Sequence, residues 1–228
     1  MTTRIPALLA RWALIAVSTA ALLFLSAGTV QIASIRNYVV ASSVLLLATI
    51  LSVNPGLAQE RAKPREPGTD DSRVTTGLLF LLTLAVASFS VGHCRPGFNV
   101  HPPIRHLALA AFLLSGAFQT WAMIVNPFFS PVVRIQTERG HHLIAKGPYR
   151  LMRHPGYLAM CIAVPTSAVA IGSWLGLAPA AGFVAVILRR ARVEDQFLVR
   201  NLPGYKSYAA LVPSGLPWTT ARRAETNL

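Results

Sequence analysis

Apolar segments long enough to cross a membrane constrain this chain more than any other feature of its sequence. A transmembrane helix needs about 20 mainly apolar residues, and four segments approach or exceed this length: 8–29, 38–57, 74–91 and 104–125. A fifth apolar stretch, 157–190, is broken near Gly172-Ser173. It predicts a tight hairpin of two short spans, or one bent helix. The expected fold is therefore an all-α, polytopic membrane helical bundle of about six spans.

The composition favours a membrane protein over a water-soluble one. Hydrophobic residues make up 53% of the chain and charged residues 13%, whereas soluble domains carry about 25% charged residues. The net charge of +13 would suggest nucleic acid as the partner of a soluble protein. Here the basic residues lie between the apolar segments, which is typical of charges that orient spans in a bilayer. We expect membrane lipids rather than nucleic acid as partners.

The distribution of the basic residues predicts which way the chain faces. With the N-terminus inside, 18 of the 21 Lys and Arg residues lie on the inner side, and only Arg36, Arg95 and Arg105 lie outside. All eight acidic residues also fall on the inner side. This split follows the positive-inside rule. We therefore expect a multi-pass protein whose two termini and polar connection at 130–155 are cytoplasmic.

The spans divide the chain into three parts. Residues 1–125 hold four N-terminal helices and a polar linker at 58–73, 126–218 hold the polar connection and the hairpin, and 219–228 form a polar tail. The first apolar segment exceeds the 7–15 residues of a signal peptide, so we expect it to be a span that is retained. The sequence has no GxGxxG motif, which excludes a Rossmann domain. A cofactor pocket would therefore lie in the helices and their cytoplasmic loops.

Residues capable of chemistry concentrate in two segments, 136–157 and 189–218. The hairpin runs out and back, so both segments must meet at the same membrane surface. Pro155 disfavours helical backbone at the residue before it, so we expect His154 on extended backbone at the mouth of the fifth span. Arg190 and Glu194 are four residues apart and share one face of a helix.

Simpler interpretations of the same residues stay open at this point. Tyr149, His154 and Tyr157 would suit an interfacial aromatic belt, and Arg190 with Glu194 would suit an exposed intrahelical salt bridge of small energy. Against the second, ionisable groups at membrane depth are functional candidates. We expect no metal site, because the adjacent pair His141-His142 lacks a third ligand at helical spacing. The two cysteines lack ligand spacing, and we expect free thiols.

Short motifs in the C-terminal half carry a family resemblance through their order and spacing. They are His-x-Leu-Ile at 141–144, Gly-Pro-Tyr at 147–149, Arg-His-Pro-Gly-Tyr at 153–157, Arg-x-x-x-Glu at 190–194, Gly-Tyr at 204–205 with Tyr208, and Val-Pro-Ser-Gly-Leu-Pro at 212–217. With these motifs, the region from about 126 to 218 resembles the isoprenylcysteine carboxyl methyltransferase family. Its members are integral membrane enzymes that move a methyl group from S-adenosylmethionine to a carboxylate on a lipidated cysteine.

The resemblance implies a site built from both segments. The residues that fall where the family contacts S-adenosylmethionine are Gln136, His141, His142, Leu143, Ile144, Tyr149, His154, Pro155, Gly156, Tyr157 and Glu194. Arg190 falls where the family engages the substrate carboxylate, so Arg190 and Glu194 are the candidate catalytic residues. Asp195 stands where members often have a second glutamate, and Leu211 where a basic residue is common. Both departures concern the acceptor more than the cofactor.

The function implied by the resemblance is methyl transfer to a lipid-like substrate. The acceptor would be the carboxylate of a prenylated cysteine or a related isoprenoid, with a fatty acid or a phospholipid amine as alternatives. Two other classes stay open: a membrane NADPH-dependent sterol- or isoprenoid-type reductase, and a non-catalytic membrane protein such as a transporter. The sequence shows no basic cluster for a 2′-phosphate and no charge in the middle of a span, which disfavours both. The sequence does not set the oligomeric state.

Overall fold

The computed structural model describes residues 4–54, 56–57, 72–94, 99–130, 132–212 and 215. Three of the sequence predictions fall wholly or mostly outside these residues. They are the polar linker up to residue 71, most of the motif at 212–217, and the polar tail at 219–228.

The described part of the chain is helical throughout, apart from its connections. Its seven α-helices are α1 Arg4–Ala27, α2 Ala33–Ser52, α3 Ser72–His93, α4 Pro102–Val125, α5 Pro155–Ile171, α6 Leu177–Asn201 and α7 Tyr205–Leu211. Two short 3₁₀ turns, Thr137–Arg139 and Gly147–Arg150, lie in the connection between α4 and α5. The helices α1 to α4 are long and apolar enough to cross a membrane, and α5 is a shorter apolar helix. The predicted polytopic helical bundle is confirmed.

The second helix lies about five residues earlier in the chain than its apolar segment predicted. It begins at Ala33, although Ser34, Arg36 and Asn37 follow directly. Two of these polar side chains find acceptors locally, because the Ser34 hydroxyl donates to the carbonyl of Ile171 at 2.6 Å and Arg36 donates to carbonyls of the preceding connection. A polar residue that is satisfied in this way does not end a helix. Similarly, α3 begins at Ser72, inside the predicted linker.

The last apolar stretch is two helices and not one bent helix. Helix α5 ends where Gly172 adopts φ of 118°, a left-handed conformation that suits glycine. The carbonyl of Gly172 accepts a hydrogen bond from the backbone N–H of Val100 at 2.8 Å, which ties the turn to the start of α4. Helix α6 then runs to Asn201, eleven residues beyond Arg190. The predicted break near Gly172-Ser173 is therefore confirmed, and the returning helix carries Arg190 and Glu194 out of the apolar region.

Helix α5 is the central helix of the bundle, since it packs against α2, α3, α4 and α6. Buried apolar residues of five helices meet around its second half, and a polar contact lies among them. The Tyr38 hydroxyl donates to the Ser167 hydroxyl at 3.1 Å, and the Tyr38 and Phe112 rings lie 5.0 Å apart. A buried hydroxyl with a partner avoids the cost of desolvation. The second half of α5 is thereby held against α2, which in turn packs on α4.

We expect Gly92→Ala to weaken the bundle while Gly77→Ala on the same helix does not. A Cβ at Gly92 would collide with the backbone carbonyl of Ala27, which would push α1 away from α3, whereas a Cβ at Gly77 would meet no atom within 4 Å. Overpacking costs about 1–3 kcal/mol, and an unhindered Gly to Ala change in a helix gains up to about 1 kcal/mol. Melting temperatures of the two variants in detergent should therefore shift in opposite directions. Equal shifts would contradict the close α1–α3 contact.

Candidate active site

A cavity lies at the end of the bundle where α4 ends and α5 begins. The connection between α4 and α5, the first turn of α5, the end of α6 and helix α7 surround it. The empty space among these elements is about 780 Å³, including the part that opens to solvent. The two sequence segments that were expected to meet therefore lie together, at 136–157 and beyond 189.

Ten of the eleven residues that were expected to contact a cofactor border this one cavity. They are His141, His142, Leu143, Ile144, Tyr149, His154, Pro155, Gly156, Tyr157 and Glu194. Their lining combines aromatic faces, imidazoles, apolar side chains and a carboxylate. A small molecule with both charged and flat apolar parts would find partners for each.

The remaining predicted residue, Gln136, is buried beside the cavity and does not line it. Its side-chain amide donates to the carbonyl of Phe128 at 2.9 Å and accepts a hydrogen bond from Arg139. Its backbone N–H donates to Nδ1 of His141 at 3.2 Å. Gln136 therefore holds the loop that presents His141. The Gln136 side chain is hydrogen-bonded to Phe128 and Arg139 and does not face the cavity.

His141 is held as a neutral imidazole by its surroundings. Its ring stacks on Phe128 with centroids 4.4 Å apart. Burial lowers the pKa of His141, and the nearby positive charges of His142 and Arg139 lower it further. A neutral imidazole can accept the hydrogen bond from Gln136 that the structure shows.

Tyr149 is fixed by contacts on both its side chain and its backbone. Its hydroxyl lies 3.2 Å from the amide nitrogen of Asn126 and 3.4 Å from the carbonyl of Ala122. The Tyr208 hydroxyl donates to the backbone carbonyl of Tyr149 at 2.6 Å. Burial raises the pKa of Tyr208 to about 12, so this hydroxyl stays protonated and keeps donating. Tyr149 is therefore attached both to α7 and to the end of α4.

His154 begins α5 outside the helical conformation. Its φ and ψ are −126° and 60°, so the prediction of non-helical backbone before Pro155 holds but the prediction of extended backbone is wrong. The reason is that His154 is the N-cap of α5, and its carbonyl already accepts hydrogen bonds from the backbone N–H groups of Tyr157 and Leu158. This geometry turns the imidazole toward α6.

Tyr157, Glu194 and Arg190 form a chain of hydrogen bonds between α5 and α6. The Tyr157 hydroxyl donates to Glu194 and accepts from Nε of Arg190 at 2.9 Å. Arg190 also donates to the Ser72 hydroxyl at 3.2 Å. The phenol is therefore held between a carboxylate that borders the cavity and a guanidinium that does not.

Arg190 lies behind Tyr157 rather than in the cavity lining. Its side chain is buried, with 5% of the residue exposed, and its guanidinium carbon lies 5.9 Å from the centre of the Tyr157 ring. Of the two candidate catalytic residues, only Glu194 borders the cavity directly.

Asp195 joins the two segments through a cluster of hydrogen bonds that sequence reasoning did not assign to the site. Its carboxylate accepts two from Arg153, at 2.8 and 2.9 Å, one from the Tyr205 hydroxyl at 2.8 Å, and lies 3.1 Å from Nε2 of His154. Arg153 also donates to the carbonyl of Val212 at 2.6 Å. We call Asp195, Arg153, His154 and Tyr205 the aspartate cluster.

The charge of Asp195 is strongly favoured by these contacts. Burial raises its pKa, but the hydrogen bonds from His154 and Arg153 outweigh burial and hold the pKa well below its usual range. For Tyr205, burial and the adjacent Asp195 charge both raise the pKa of the phenol. An ionised carboxylate and a protonated phenol are therefore the stable pair. One signal of this cluster was visible in sequence, since Arg153 and Asp195 each adjoin a predicted site residue.

The structure defines a class before any comparison: a multi-pass helical membrane protein with a cavity at one end of the bundle, bordered by a carboxylate and aromatic rings. Residues 107–200 match the Isoprenylcysteine carboxyl methyltransferase (ICMT) family, so this part of the chain is similar to that family. The match includes most of α4, the loop, α5 and nearly all of α6. These elements supply Tyr149, Tyr157, Arg190 and Glu194.

Curated relatives include two kinds of protein. Protein-S-isoprenylcysteine O-methyltransferase B of Arabidopsis thaliana is 29% identical over 54% of this chain and 64% of its own length. A probable protein-S-isoprenylcysteine O-methyltransferase of Oryza sativa subsp. japonica is 40% identical over 40% of this chain and 48% of its own. The cobalt-zinc-cadmium resistance protein CzcN of Cupriavidus metallidurans is 28% identical over 64% of each chain. The chain spans less than two thirds of the length of each of these relatives.

One of these relatives is named for metal resistance, which raises the question of whether side chains in this chain could bind a metal ion. Among the residues that the structure describes, no group of three or more His, Cys, Asp or Glu side chains could hold a metal ion. The imidazole of His154 faces the carboxylate of Asp195, which itself is occupied by Arg153 and Tyr205.

We expect Asp195→Asn to destabilise the protein much more than Glu138→Gln. The first change leaves Arg153, whose side chain is 9% exposed, without its counter-charge, and unpairing a buried charge costs about 3–5 kcal/mol. We expect roughly 2–4 kcal/mol here, because the Asp195 side chain is 22% exposed. Glu138 pairs with Arg134 at 2.6 Å but is 46% exposed, so its loss should cost under about 1 kcal/mol.

Chemical or thermal unfolding of the two variants in the same detergent measures this difference. Comparable stability of Asp195→Asn and Glu138→Gln would show that the aspartate cluster does not hold the loop to α6.

Proposed function

We propose that this protein is an integral membrane methyltransferase that moves a methyl group from S-adenosylmethionine to a lipid-like acceptor. The acceptor that we infer is the carboxylate of a prenylated cysteine or a related isoprenoid. The observation that carries the proposal is the cavity that Tyr149, Tyr157 and Glu194 border together. The match of residues 107–200 to the methyltransferase family and the printed names of the plant relatives support the same activity.

The residues around the cavity suit S-adenosylmethionine, which combines a sulfonium cation, an ammonium group, ribose hydroxyls and a flat base. Aromatic faces attract cations, and Tyr149 and Tyr157 supply two of them. The Glu194 carboxylate can accept hydrogen bonds from an ammonium or hydroxyl group. The stacked pair Phe128 and His141 offers an aromatic surface to the base. The residues that border the cavity therefore fit S-adenosylmethionine.

When bound, the cofactor supplies an electrophilic methyl group on a positively charged sulfur. The protein's own part is alignment, since an ionised carboxylate needs no general base to attack. Tyr157 is held from both sides by Glu194 and Arg190, so its ring presents a fixed face to the cavity. Positioning of this kind can supply roughly 7–11 kcal/mol of rate advantage. Water exclusion by the apolar lining strengthens the charge interactions further.

We assign Arg190 to the acceptor rather than to the cofactor. It is buried beside Tyr157 and outside the cavity lining, so a carboxylate that it binds would have to lie at the edge of the phenol, within reach of a methyl group held in the cavity. A guanidinium grips a carboxylate through two parallel hydrogen bonds. The acceptor and the donor would then meet at Tyr157, with opposite charges that cancel as the methyl group moves.

We also propose that the cavity opens to the cytoplasm and that both termini lie on the cytoplasmic side. The support is the charge distribution, in which 18 of 21 basic residues share one side with the segments that form the site. S-adenosylmethionine would enter from water, whereas a lipid acceptor would arrive from the surrounding bilayer.

Ligand binding to the full-length protein in detergent tests the proposed cofactor. S-adenosylhomocysteine, the product of the proposed donor, should raise the melting temperature, because a ligand of the native state stabilises it by mass action. NADPH should leave the melting temperature unchanged. The opposite result would favour the membrane reductase class over methyl transfer.

Two substitutions should separate cofactor binding from acceptor binding. Glu194→Gln removes the carboxylate charge at the cavity and should reduce the stabilisation by S-adenosylhomocysteine, with an affinity loss of about tenfold or more. Arg190→Lys keeps a positive charge but loses the planar fork. It should keep the S-adenosylhomocysteine shift and lower turnover of a prenylated cysteine at least tenfold.

Glu138→Gln is the matched control for Glu194→Gln, because it removes an exposed carboxylate in the connection between α4 and α5 that does not border the cavity. Normal cofactor affinity in the Glu194 variant, or loss of that affinity in the Arg190 variant, would contradict the proposed roles.

A further inference from the structure

A second cavity lies within the bundle, between α1, α2 and α4. We call it the membrane cavity and define it by Leu8, Arg11 and Ile15 of α1, Leu46 of α2, and Gln119 and Met123 of α4. The empty space is about 1450 Å³, including the part that opens outward. Most of the lining is apolar, so the cavity suits a hydrocarbon chain.

The length of the membrane cavity follows from the helices that border it. Its lining extends along α2 from Tyr38 to the C-cap residue Val53, and along α4 from Phe112 to Met123. At 1.5 Å per residue these spans are about 22 Å and 16 Å. The hydrocarbon core of a bilayer is about 30 Å thick. The cavity therefore has room for a long chain lying along the helices.

Most hydroxyl groups in the lining already have partners in the protein. The Thr49 and Thr120 hydroxyls lie 2.8 Å apart, and each also lies within hydrogen-bond distance of a carbonyl of its own helix. The Ser42 hydroxyl donates to the carbonyl of Val39 at 3.1 Å. These groups hold α2 against α4 and need no ligand.

Arg11 and Gln119 differ from the other polar groups of the lining. Within the part of the chain that the structure describes, neither side chain has a hydrogen bond or an ion pair. Arg11 lies seven residues from the first residue of α1 and Gln119 six from the last of α4, which places both roughly 10 Å from the same end of the bundle. Arg11 is exposed and Gln119 is partly buried in the structure, and polar groups without partners at membrane depth are costly. An anionic headgroup would satisfy both.

The membrane cavity and the candidate active site share no lining residue. Along α4 they are separated by a single turn, since Met123 borders the first and Asn126 the second. Between them, Tyr149 lies against both Asn126 and the carbonyl of Ala122. A ligand of the membrane cavity would therefore be a different molecule from one in the active site.

We propose that the membrane cavity binds a single-chain anionic lipid, a long-chain carboxylate. The chain lies along α2 and α4, and the carboxylate binds the Arg11 guanidinium with the Gln119 amide donating a second hydrogen bond. This site does not depend on the proposed methyl transfer. Its ligand is bound and not consumed, and it joins α1 to the rest of the bundle.

Equilibrium binding of radiolabelled palmitate and of neutral hexadecanol to the full chain in detergent tests the proposal. The wild-type protein should bind palmitate at least tenfold more tightly than hexadecanol, because a hydrogen bond to a charged group is worth more than one to a neutral group. Arg11→Gln should remove this preference, and Gln119→Leu should reduce it, with hexadecanol affinity unchanged in both.

A second pair of variants tests the location. Ala16→Phe fills the membrane cavity and should reduce binding of both ligands, whereas Val17→Phe, on the next residue and 67% exposed, should change neither. The melting temperature of each variant checks that it is folded.

Three results would overturn the proposal. They are equal affinity of the wild-type protein for palmitate and hexadecanol, equal effects of the Ala16 and Val17 variants, and competitive displacement of palmitate by a prenylated cysteine. Competitive displacement would show that the membrane cavity binds the methyl acceptor. It would leave the proposed methyltransferase activity intact, so the two proposals can fail separately.

Discussion

The carboxylate of Asp195 is the contact on which the candidate site depends. It binds Arg153 and Tyr205 and faces His154, and so joins the loop before α5, the end of α6 and helix α7. Arg153 of the loop and Asp195 of α6 are 42 residues apart in sequence. A small apolar cluster around Leu202, Tyr205 and Tyr208 also packs there, and the charged cluster adds several directional hydrogen bonds to this packing. The shape of the cavity follows from this attachment.

Neighbouring acidic residues on α6 have different environments because successive side chains on a helix point about 100° apart. Asp195 faces α7 and the loop, while Glu194 faces Tyr157 and the cavity. The sequence pair Glu-Asp therefore serves one structural contact and one candidate ligand contact. A helix that ended at Arg190 would present neither side chain.

The helical bundle and most of the cavity lining could be predicted, because both depend on features that are local in sequence. Apolar length indicates a span, and the break at Gly172 indicates the hairpin, which then brings 136–157 and 189–201 to one end. The start of α2 was misplaced, since Ser34 is satisfied by Ile171, 137 residues away. The length of an apolar segment does not indicate hydrogen-bond partners that are distant in sequence.

The same limit explains what sequence reasoning missed at the site. Gln136 is turned into the protein by Phe128 and Arg139, and Arg190 is held behind Tyr157 by Ser72 of α3. Each outcome depends on a hydrogen bond between distant segments, and motif spacing within one segment does not specify it. Residue types at the site were predictable, whereas the direction in which each side chain points was not.

The short length of α5 has a consequence for how the protein would respond to membrane thickness. Its 17 residues measure about 25 Å, several ångströms less than a typical hydrocarbon core. Since His154 and Tyr157 lie at the start of α5, a bilayer of ordinary thickness would have to thin locally or leave this mouth recessed below the headgroups. The depth at which a lipid acceptor presents its polar end would then vary with acyl-chain length in the host bilayer.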